Sequence, residues 1–252
     1  MKNLSALIVV HNEEKQLKEC LQTLKFANEI IVILDKCTDN SKKIAQNFSN
    51  KIFHGSWDVE GERRNFGIEK CSGDWILEID ADERIPKNLQ KEILSLTQNS
   101  KSDWHPINVE NYFGKKVVKY GWGCYIGKST YAGLFKKNSK SWGLQRVHPK
   151  ILLTGKKGEI LKNKISHFYC KSIFDLFEKL DSYSTARAVD LKNNKIEESL
   201  FKNIRRIFSR FWKCFVTRKG YKEKELGLAI AIVAGLYPLL SYLKYKIELS
   251  ND

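Results

Sequence analysis

The sequence predicts an α/β fold in which helices flank a mixed, mostly parallel sheet. Three apolar runs, at residues 4–10, 29–34 and 75–79, have the nearly continuous hydrophobicity of strands that are covered on both faces. Stretches with apolar residues at helical spacing separate these runs, and repeated strand–helix–strand alternation predicts parallel strands joined by right-handed crossovers. The 252 residues, of which 42% are hydrophobic, are enough to bury a sizeable core.

The individual elements are placed by the turn and cap residues between them. Polar residues at 11–14 end the first strand and begin a helix, and those at 38–41 supply caps for a second helix. Pro86 suits the first position of a later helix. In chain order the sequence predicts a strand at 4–10, a helix opened by 11–14, a strand at 29–34, a helix capped by 38–41, a short strand at 51–53, a helix from 61, a strand at 75–79, a helix at 86–98, paired strands within 103–120 around a turn at 114–116, and helices from 171 onward.

Polar side chains stand at the ends of the three predicted strands. Asn12 and Glu13 follow the first, Asp35 ends the second, and Asp80 and Asp82 follow the third. Ligands of open α/β sheets bind at the carboxyl ends of the strands, so these residues predict a site. If the extended backbone continues to Asp82, the two aspartates face the same side. Their charges repel unless a cation such as Mg²⁺ or Mn²⁺ joins them, and such an ion would leave positions for diphosphate oxygens. The alternative is two solvated acids at a strand end.

The composition narrows the class of partner. The formal net charge is +15 and the pI is about 9.4, which calls for a polyanion or an anionic surface. No nucleic-acid-binding module is recognisable, and acids at the strand ends would repel phosphate in the absence of a metal, so nucleic acid is disfavoured. Six scattered cysteines without a C-x-x-C pair indicate a reducing compartment. The apolar run at the amino terminus is too short for a signal peptide.

Four segments resemble those of a known family. Val-Val-His-Asn-Glu-Glu at 9–14, Leu-Asp-Lys-Cys-Thr-Asp-Asn-Ser at 34–41, Glu-Arg-Arg-Asn at 62–65 and Gly-Asp-Trp-Ile-Leu-Glu-Ile-Asp-Ala-Asp-Glu-Arg at 73–84 resemble family 2 glycosyltransferases of the GT-A fold. The Asp-Ala-Asp-Glu-Arg form is similar to the branch that builds the lipopolysaccharide core. The resemblance is strong over residues 4–90 and looser towards the carboxyl terminus.

The resemblance implies an enzyme and a reaction. It implies an inverting hexosyltransferase that moves a sugar from a nucleotide-diphospho-sugar, UDP-hexose above all, to a lipid-linked glycan such as the lipopolysaccharide core. A polyprenyl-phosphate or other surface-polysaccharide acceptor is an alternative. A further alternative is a catalytically idle membrane scaffold that has kept the fold.

The resemblance also implies roles for the strand-end residues. Glu13 and Asp35, with Asn12 beside them, would contact the nucleoside, whose hydroxyls and base edge suit carboxylate acceptors. Asp80 and Asp82 match the Asp-x-Asp that binds the divalent cation, Mg²⁺ or Mn²⁺, and the sugar diphosphate. Asp82 is therefore also a catalytic candidate.

The Arg-Arg-Asn segment is expected at the same donor site. Arg63 or Arg64 would neutralise the diphosphate, because a guanidinium fork suits phosphate oxygens, and Asn65 is grouped with them. The alternative is a solvated helix face.

The acceptor half departs from the similar branch. That branch carries Val-His-Glu where this chain has Val147-His148-Pro149, which removes the expected carboxylate base. His148 is the candidate base, since its intrinsic pKa suits proton transfer near neutrality; a packed, non-catalytic histidine is the alternative. Trp122 and Tyr125, next to glycines, are candidate platforms for an acceptor sugar, and burial in a core is the alternative.

The expected domains are a GT-A catalytic domain at 1–170 and a helical, membrane-associating region at 171–252. Within the first, 1–98 is the nucleotide-sugar-binding half and 99–170 the acceptor half. An apolar stripe from Ile173 to Tyr183 is expected to pack on the catalytic domain.

A second stripe is typical of a helix at an anionic membrane surface. It combines large apolar residues with a basic opposite face; the apolar set is Phe201, Ile204, Phe208, Phe211, Trp212 and Phe215. Packing on the core is the alternative. Residues 226–243 lie at the lower length limit for a spanning helix and contain Pro238. We therefore expect peripheral or monotopic attachment through residues 200–246 at the cytoplasmic face of a bacterial inner membrane.

Overall fold

The structure, a computed structural model, describes residues 3–122, 126–145 and 149–249. The strands are β1 Leu4–Val10, β2 Glu29–Asp35, β3 Lys51–Gly55, β4 Trp75–Ile79, β5 Glu83–Arg84, β6 Trp104–Phe113, β7 Lys116–Val118, β8 Thr130–Lys136, β9 Lys140–Trp142, β10 Ile151–Leu153 and β11 Ile165–Cys170. The α-helices are α1 Glu14–Thr23, α2 Ser41–Gln46, α3 Glu60–Lys70, α4 Lys87–Asn99, α5 Ile173–Asn193, α6 Leu200–Trp212 and α7 Lys224–Ile247.

The predicted mixed sheet is confirmed. Across the described ranges, nine strands form one sheet in the order β3-β2-β1-β4-β8-β6-β11-β5, with β7 paired to β6. The four strands from β3 to β4 run parallel, as the alternation of strands and helices predicts. β8 is antiparallel to both β4 and β6. β9 and β10 form a separate antiparallel pair.

The chain forms two compact units. The first comprises residues 1–109 and 129–167, and the second comprises residues 110–128 and 168–252. The expected boundary lies at residue 170, with 110–128 in the acceptor half. In the structure that segment belongs instead with the carboxyl-terminal helices, because Val118 and Ile126 are buried in the same apolar core as Leu176 and Ile230.

The first unit has apolar side chains packed on both faces of its parallel strands. Ala6 and Ile8 face the core that contains Leu17 of α1, whereas Leu7 faces a second core on the α3 side. Burial on both faces is the reason that these strands are continuously hydrophobic in sequence. α3 lies so close to the sheet that a Cβ atom at Gly67 would stand 2.6 Å from a methyl carbon of Leu7.

The second unit is built around α7, on which α5 and α6 pack. The α5 stripe expected on the catalytic domain divides: Leu176 and Leu180 are buried in the core shared with α7, whereas Ile173 and Phe177 are 45% and 47% exposed. The prediction missed α7 as the packing partner because helical spacing identifies a buried face but not the element that covers it.

α7 has partners along its length within this unit. A Cβ atom at Gly235 would lie 3.0 Å from the backbone oxygen of Ile207, so the glycine lets α6 approach closely. Near the far end, Lys244 Nζ donates to Asp181 Oδ1 at 2.6 Å and to Thr185 Oγ1 at 2.6 Å. By length and composition alone, residues 220–247 pass as a membrane-crossing helix within the described chain; core helices pass the same test, and 44% of the apolar window is buried here.

Candidate active site

The structure brings the three predicted strand ends to one edge of the sheet. β1 lies between β2 and β4, and all three run parallel, so Asn12, Asp35 and Asp80 stand at neighbouring strand ends. This part of the prediction rests on topology, and the topology is confirmed. The side-chain contacts at that edge differ from one predicted residue to the next.

Asn12 and Glu13 tie the loop after β1 to the loop after β2. Asn12 has a φ of 55°, and its Oδ1 accepts hydrogen bonds from the backbone N–H groups of Thr38 at 2.8 Å and Asp39 at 3.3 Å. The N–H of Glu13 donates to Ser41 Oγ at 3.0 Å. The asparagine thus fixes the shape of the loop, and the Glu13 side chain is half-buried at the start of α1.

Asp35 lies at the end of β2 and is 4% exposed. Its Oδ2 accepts from Arg63 Nη1 at 2.7 Å, and its Oδ1 accepts from the backbone N–H of Trp57 at 3.0 Å. Two predicted donor-site residues, Asp35 and Arg63, therefore contact each other directly. The Arg63 guanidinium fixes the Asp35 carboxylate, so a group with several N–H donors stands beside a hydrogen-bond acceptor.

Asn65 makes a different set of contacts from those that its motif suggests. Its Nδ2 donates to the backbone oxygen of Trp142 at 2.8 Å, and its Oδ1 accepts from the Trp142 N–H at 2.8 Å. These two hydrogen bonds attach α3 to β9, because the Asn65 amide pairs with the Trp142 backbone as a neighbouring strand would. The amide is engaged at both ends, so the role that the geometry gives Asn65 is to hold Trp142 in place.

Arg64 joins three acidic side chains. Its Nε donates to Glu60 at 2.8 Å, Nη1 donates to Glu78 at 2.7 Å, and Nη2 donates to Asp80 Oδ1 at 3.2 Å. Its guanidinium carbon lies 4.7 Å from the centre of the Trp142 ring, which is a cation–π distance. Burial works to lower the pKa of Arg64, but the charges of Asp80, Glu78 and Glu60 outweigh it and raise that pKa.

Glu78 is an acid inside the central strand and is 2% exposed. Lys140 Nζ donates to its Oε2 at 2.6 Å, opposite the bond from Arg64. Burial works to raise the pKa of Glu78, but Lys140 and Arg64 outweigh it and hold the pKa below its ordinary value. The buried carboxylate is therefore ionised and compensated by two cations.

The two aspartates after β4 have different partners. A turn follows the strand, with the Glu83 N–H donating to the Asp80 backbone oxygen at 3.0 Å, so the extended backbone does not continue to Asp82. Asp80 contacts Arg64, whereas Asp82 Oδ2 lies 3.1 Å from His167 Nε2. The two aspartates are predicted to face the same side only if the strand continues to Asp82. A turn stands there instead, so that prediction does not apply.

Glu83 shapes that turn from within. It is fully buried, and its Oε2 accepts from the Asp80 N–H at 3.0 Å and from the Tyr131 hydroxyl at 2.8 Å. Burial and the neighbouring Glu83 carboxylate raise the pKa of Tyr131, so the phenol remains a donor. β5, which contains Glu83, pairs with β11 and thereby sets His167 beside the turn.

The donor set suits a hard divalent cation by its chemistry. Asp80 and Asp82 offer the carboxylate oxygens that Mg²⁺ and Mn²⁺ prefer, and His167 would add an imidazole nitrogen, a ligand more usual for zinc, copper, iron or nickel. Within residues 3–122, 126–145 and 149–249, no three His, Cys, Asp or Glu side chains already converge as a metal centre. The Asp80–Arg64 and Asp82–His167 contacts are the ones that cation binding would have to rearrange.

Three residues of this site were missed from the sequence: Glu78, Lys140 and His167. Signals for two of them were present. Glu78 is the one charged residue in the apolar run 75–79, and a buried acid requires a partner. Ile165 and Tyr169 stand two positions before and after His167, so strand alternation in the sequence puts the histidine on the same face as these two residues. Lys140 gave no signal, because its burial follows from β9 lying over the sheet.

The predicted acceptor residues fare differently. Tyr125 and His148 lie outside the described residues. Trp122 is half-buried in the second unit, where its Nε1 donates to the Val118 backbone oxygen at 2.6 Å and its ring meets that of Tyr169 edge-on at 5.8 Å. The core alternative is therefore the one that its contacts favour over a sugar platform.

The sheet order and the acidic strand ends define the class: a GT-A-type fold with a candidate nucleotide-sugar site. Residues 5–144 match the family described as Glycosyl transferase family 2, and the chain belongs to that family. It is a glycosyltransferase.

Individual relatives agree with this assignment. The lipopolysaccharide core biosynthesis glycosyltransferase LpsC of Rhizobium meliloti (strain 1021) is 26% identical over 259 residues, covering 91% of this chain and 89% of LpsC. An uncharacterized glycosyltransferase of Rickettsia typhi is 26% identical, covering 99% and 88%. The crystal structure of S. aureus TarS 1–349 in complex with UDP is similar in fold, with a TM-score of 0.50 and 17% identity over 89% of this chain and 75% of that one. The predicted family and fold are thus confirmed.

Proposed function

We propose that the protein transfers a hexose from UDP-hexose to a lipid-linked glycan, such as the lipopolysaccharide core, with inversion at the anomeric carbon. The observation that carries the proposal is that Asp80 and Asp82 with His167, after β4, and the Asp35–Arg63 pair, at the end of β2, stand at the same carboxyl edge of the sheet. Carboxylates, an imidazole and guanidinium groups at one edge suit a cation, a diphosphate and a nucleoside together.

The proposed roles follow from these contacts. Asp35 and Glu13 accept hydrogen bonds from the nucleoside, and Arg63 and Arg64 donate to the diphosphate. Asp80 and Asp82, with His167, hold the divalent cation. When bound, that cation supplies positive charge against the diphosphate charge that grows as the sugar–phosphate bond breaks.

The transfer itself needs one bond formed and one broken. An acceptor hydroxyl oxygen attacks the anomeric carbon, and the bond from that carbon to the diphosphate oxygen breaks with its electron pair retained by UDP. The hydroxyl proton passes to a base, for which His148 is our proposal on the strength of its intrinsic pKa. A polyprenyl-phosphate-linked acceptor would satisfy the same chemistry.

Two relatives support the choice of donor and acceptor class. TarS is seen with UDP, which supports a uridine donor. LpsC is described as a lipopolysaccharide core biosynthesis enzyme, which supports a lipid-linked glycan acceptor.

A lipid-linked acceptor requires that the enzyme reach a membrane, and we propose that α6 makes this contact. Phe201, Phe208 and Trp212 project outward from α6 and are 79%, 70% and 62% exposed. Lys202 and Arg205 are exposed beside them. An apolar stripe with adjacent cations fits an anionic lipid surface, such as the cytoplasmic leaflet of the inner membrane.

The donor proposal predicts metal-dependent nucleotide binding. UDP at about 100 times its Kd stabilises the native state by about 2.7 kcal/mol. We expect a thermal-shift assay to show that stabilisation with UDP and Mn²⁺ together. GDP or CDP should not produce it, and UDP with Mn²⁺ should not produce it in Asp82→Asn, which lacks a proposed cation ligand.

Glu69→Gln is the matched control for this experiment. It removes an exposed acid that pairs with Lys70 at the surface. The control should respond to UDP and Mn²⁺ like the wild type. A normal UDP shift in Asp82→Asn, or a wild-type shift that ignores the metal, would contradict the proposed donor site.

A further inference from the structure

Arg64 is bonded to a carboxylate that the proposed function assigns to a divalent cation. Its Nη2 lies 3.2 Å from Asp80 Oδ1, whereas its bonds to Glu78 and Glu60 are shorter, at 2.7 and 2.8 Å. The guanidinium is thus anchored at two acids and reaches the third at the longest of its three distances. The Asp80 contact is therefore the longest hydrogen bond of the three.

The anchor of Arg64 is rigid. Glu78 is buried and is held from its other side by Lys140 at 2.6 Å, so it cannot follow the arginine if that side chain moves. Trp142 covers the guanidinium face at 4.7 Å, and Trp142 is in turn fixed by both ends of the Asn65 amide. Turning the planar guanidinium about its hydrogen bond to Glu78 would change the partner of Nη2 and keep the bond to Glu78.

We propose that Arg64 and the divalent cation compete for Asp80, and that the displaced Nη2 then binds the donor diphosphate. This inference rests on the proposed function, which places a cation at Asp80 and a diphosphate beside it. A guanidinium and a metal ion cannot both use Asp80 Oδ1 at close range, because their positive charges repel. When the cation binds Asp80, the Arg64 Nη2 group is released and can donate to the diphosphate that the cation also binds.

The consequence is cooperative binding. Cation alone must displace Arg64, which weakens its binding, whereas cation and diphosphate together give the guanidinium a new anionic partner. Each ligand therefore raises the affinity for the other, and linkage makes the factor equal in both directions. Arg64 in this way favours loading of cation and donor as a pair.

Arg64→Gln tests the competition through binding alone. Mn²⁺ affinity, measured by electron paramagnetic resonance without nucleotide, should rise about fivefold, the low end of common coupling factors. UDP affinity at saturating Mn²⁺, measured by calorimetry, should fall about tenfold, because the diphosphate loses a charged donor. A purely structural role for Arg64 would weaken both ligands, so opposite signs identify the competition.

Two further variants keep the test decisive. Lys70→Gln removes a cation from the same helix that pairs with Glu69 at the surface, and its Mn²⁺ affinity should match that of the wild type. Arg64→Lys keeps the charge but has no fork to span Glu78 and Asp80, so it should resemble Arg64→Gln in Mn²⁺ binding while folding normally.

The outcomes separate this inference from the proposed function. Mn²⁺ that binds both Arg64 variants no more tightly than the wild type, in protein that still binds UDP with Mn²⁺, would overturn the competition alone. A wild-type protein that binds neither ligand would overturn the proposed function, and this inference with it.

Discussion

Glu78 illustrates at the scale of a residue how this site carries charge in its interior. An unpaired carboxylate in such a position would cost several kcal/mol, and two cations, Arg64 and Lys140, offset that cost here. The arrangement is electrostatically tight, because each cation also borders the aromatic ring of Trp142. Removing one member therefore affects the whole group.

Lys140→Met is predicted to destabilise the protein by about 3 kcal/mol, because it leaves Glu78 with one buried cation instead of two. Urea unfolding followed by circular dichroism measures this. The double variant Lys140→Met with Glu78→Gln should recover more than half of the loss, since the neutral amide no longer needs Lys140. A single variant within 1 kcal/mol of the wild type would show that the pair is not buried in solution.

At the scale of elements, one carboxylate connects the amino ends of four parallel strands. Glu29 begins β2 and accepts hydrogen bonds from Ser5 in β1, from Lys51 in β3, and from Ser72 just before β4. Burial works to raise the pKa of Glu29, but the bonds from Lys51, Ser5 and Ser72 outweigh it and lower that pKa from 4.5 to about 2. The strand ends opposite the active site are thus fixed by a single ionised side chain.

This shift predicts a pH-dependent contribution to stability. A carboxyl group whose folded pKa is depressed stabilises the native state above its unfolded pKa, so Glu29 contributes fully above pH 4.5 and loses its contribution as the pH falls towards 2. Glu29→Gln should therefore cost up to about 3 kcal/mol at pH 7 and progressively less below pH 4.5. Urea titrations of both proteins at pH 7 and pH 3.5 check it; a constant difference would contradict the assigned pKa.

At the scale of the whole molecule, the +15 charge and the outward apolar stripe on α6 both suit an anionic membrane surface, the partner that we propose. The charge acts at long range and is screened by salt, whereas the aromatic side chains act only on contact. α7, by comparison, buries Ile230 and Ala234 in the core of the second unit, whereas Leu228 and Ile232 are each 42% exposed. On these exposures α6, rather than α7, is the surface that we propose for membrane contact.

Vesicle sedimentation measures the separate contributions of charge and aromatic side chains to membrane binding. The wild type should bind vesicles of phosphatidylglycerol and phosphatidylcholine more tightly than phosphatidylcholine alone, and added salt should weaken that binding. Phe201→Ser with Phe208→Ser should reduce binding about tenfold or more, because the variant loses two phenyl groups that would be buried in the lipid.

The control for the vesicle experiment removes exposed apolar residues elsewhere. Leu152→Ser with Ile160→Ser changes two side chains of the first unit that are 55% and 48% exposed. It should bind vesicles like the wild type. Undiminished binding of the α6 variant would instead assign the membrane contact to another surface, such as α7.

The sequence by itself determined the order of the elements from β1 to β4 and the position of the candidate site. Continuous apolar runs identified β1, β2 and β4, and acids at their ends marked the edge at which they meet, because both signals are local in the chain. The helical stripe of α6 was also visible, since side-chain spacing fixes which residues share a helix face.

Only the tertiary structure decided which charges meet. Glu78 and Lys140 are 62 residues apart, and Asp82 and His167 are 85 residues apart, so no local pattern connects them. The turn after Asp80 likewise depends on Glu83, whose partner Tyr131 comes from β8. Contacts of this range are set by sheet order and helix packing, and the same packing joined residues 110–128 to the carboxyl-terminal unit.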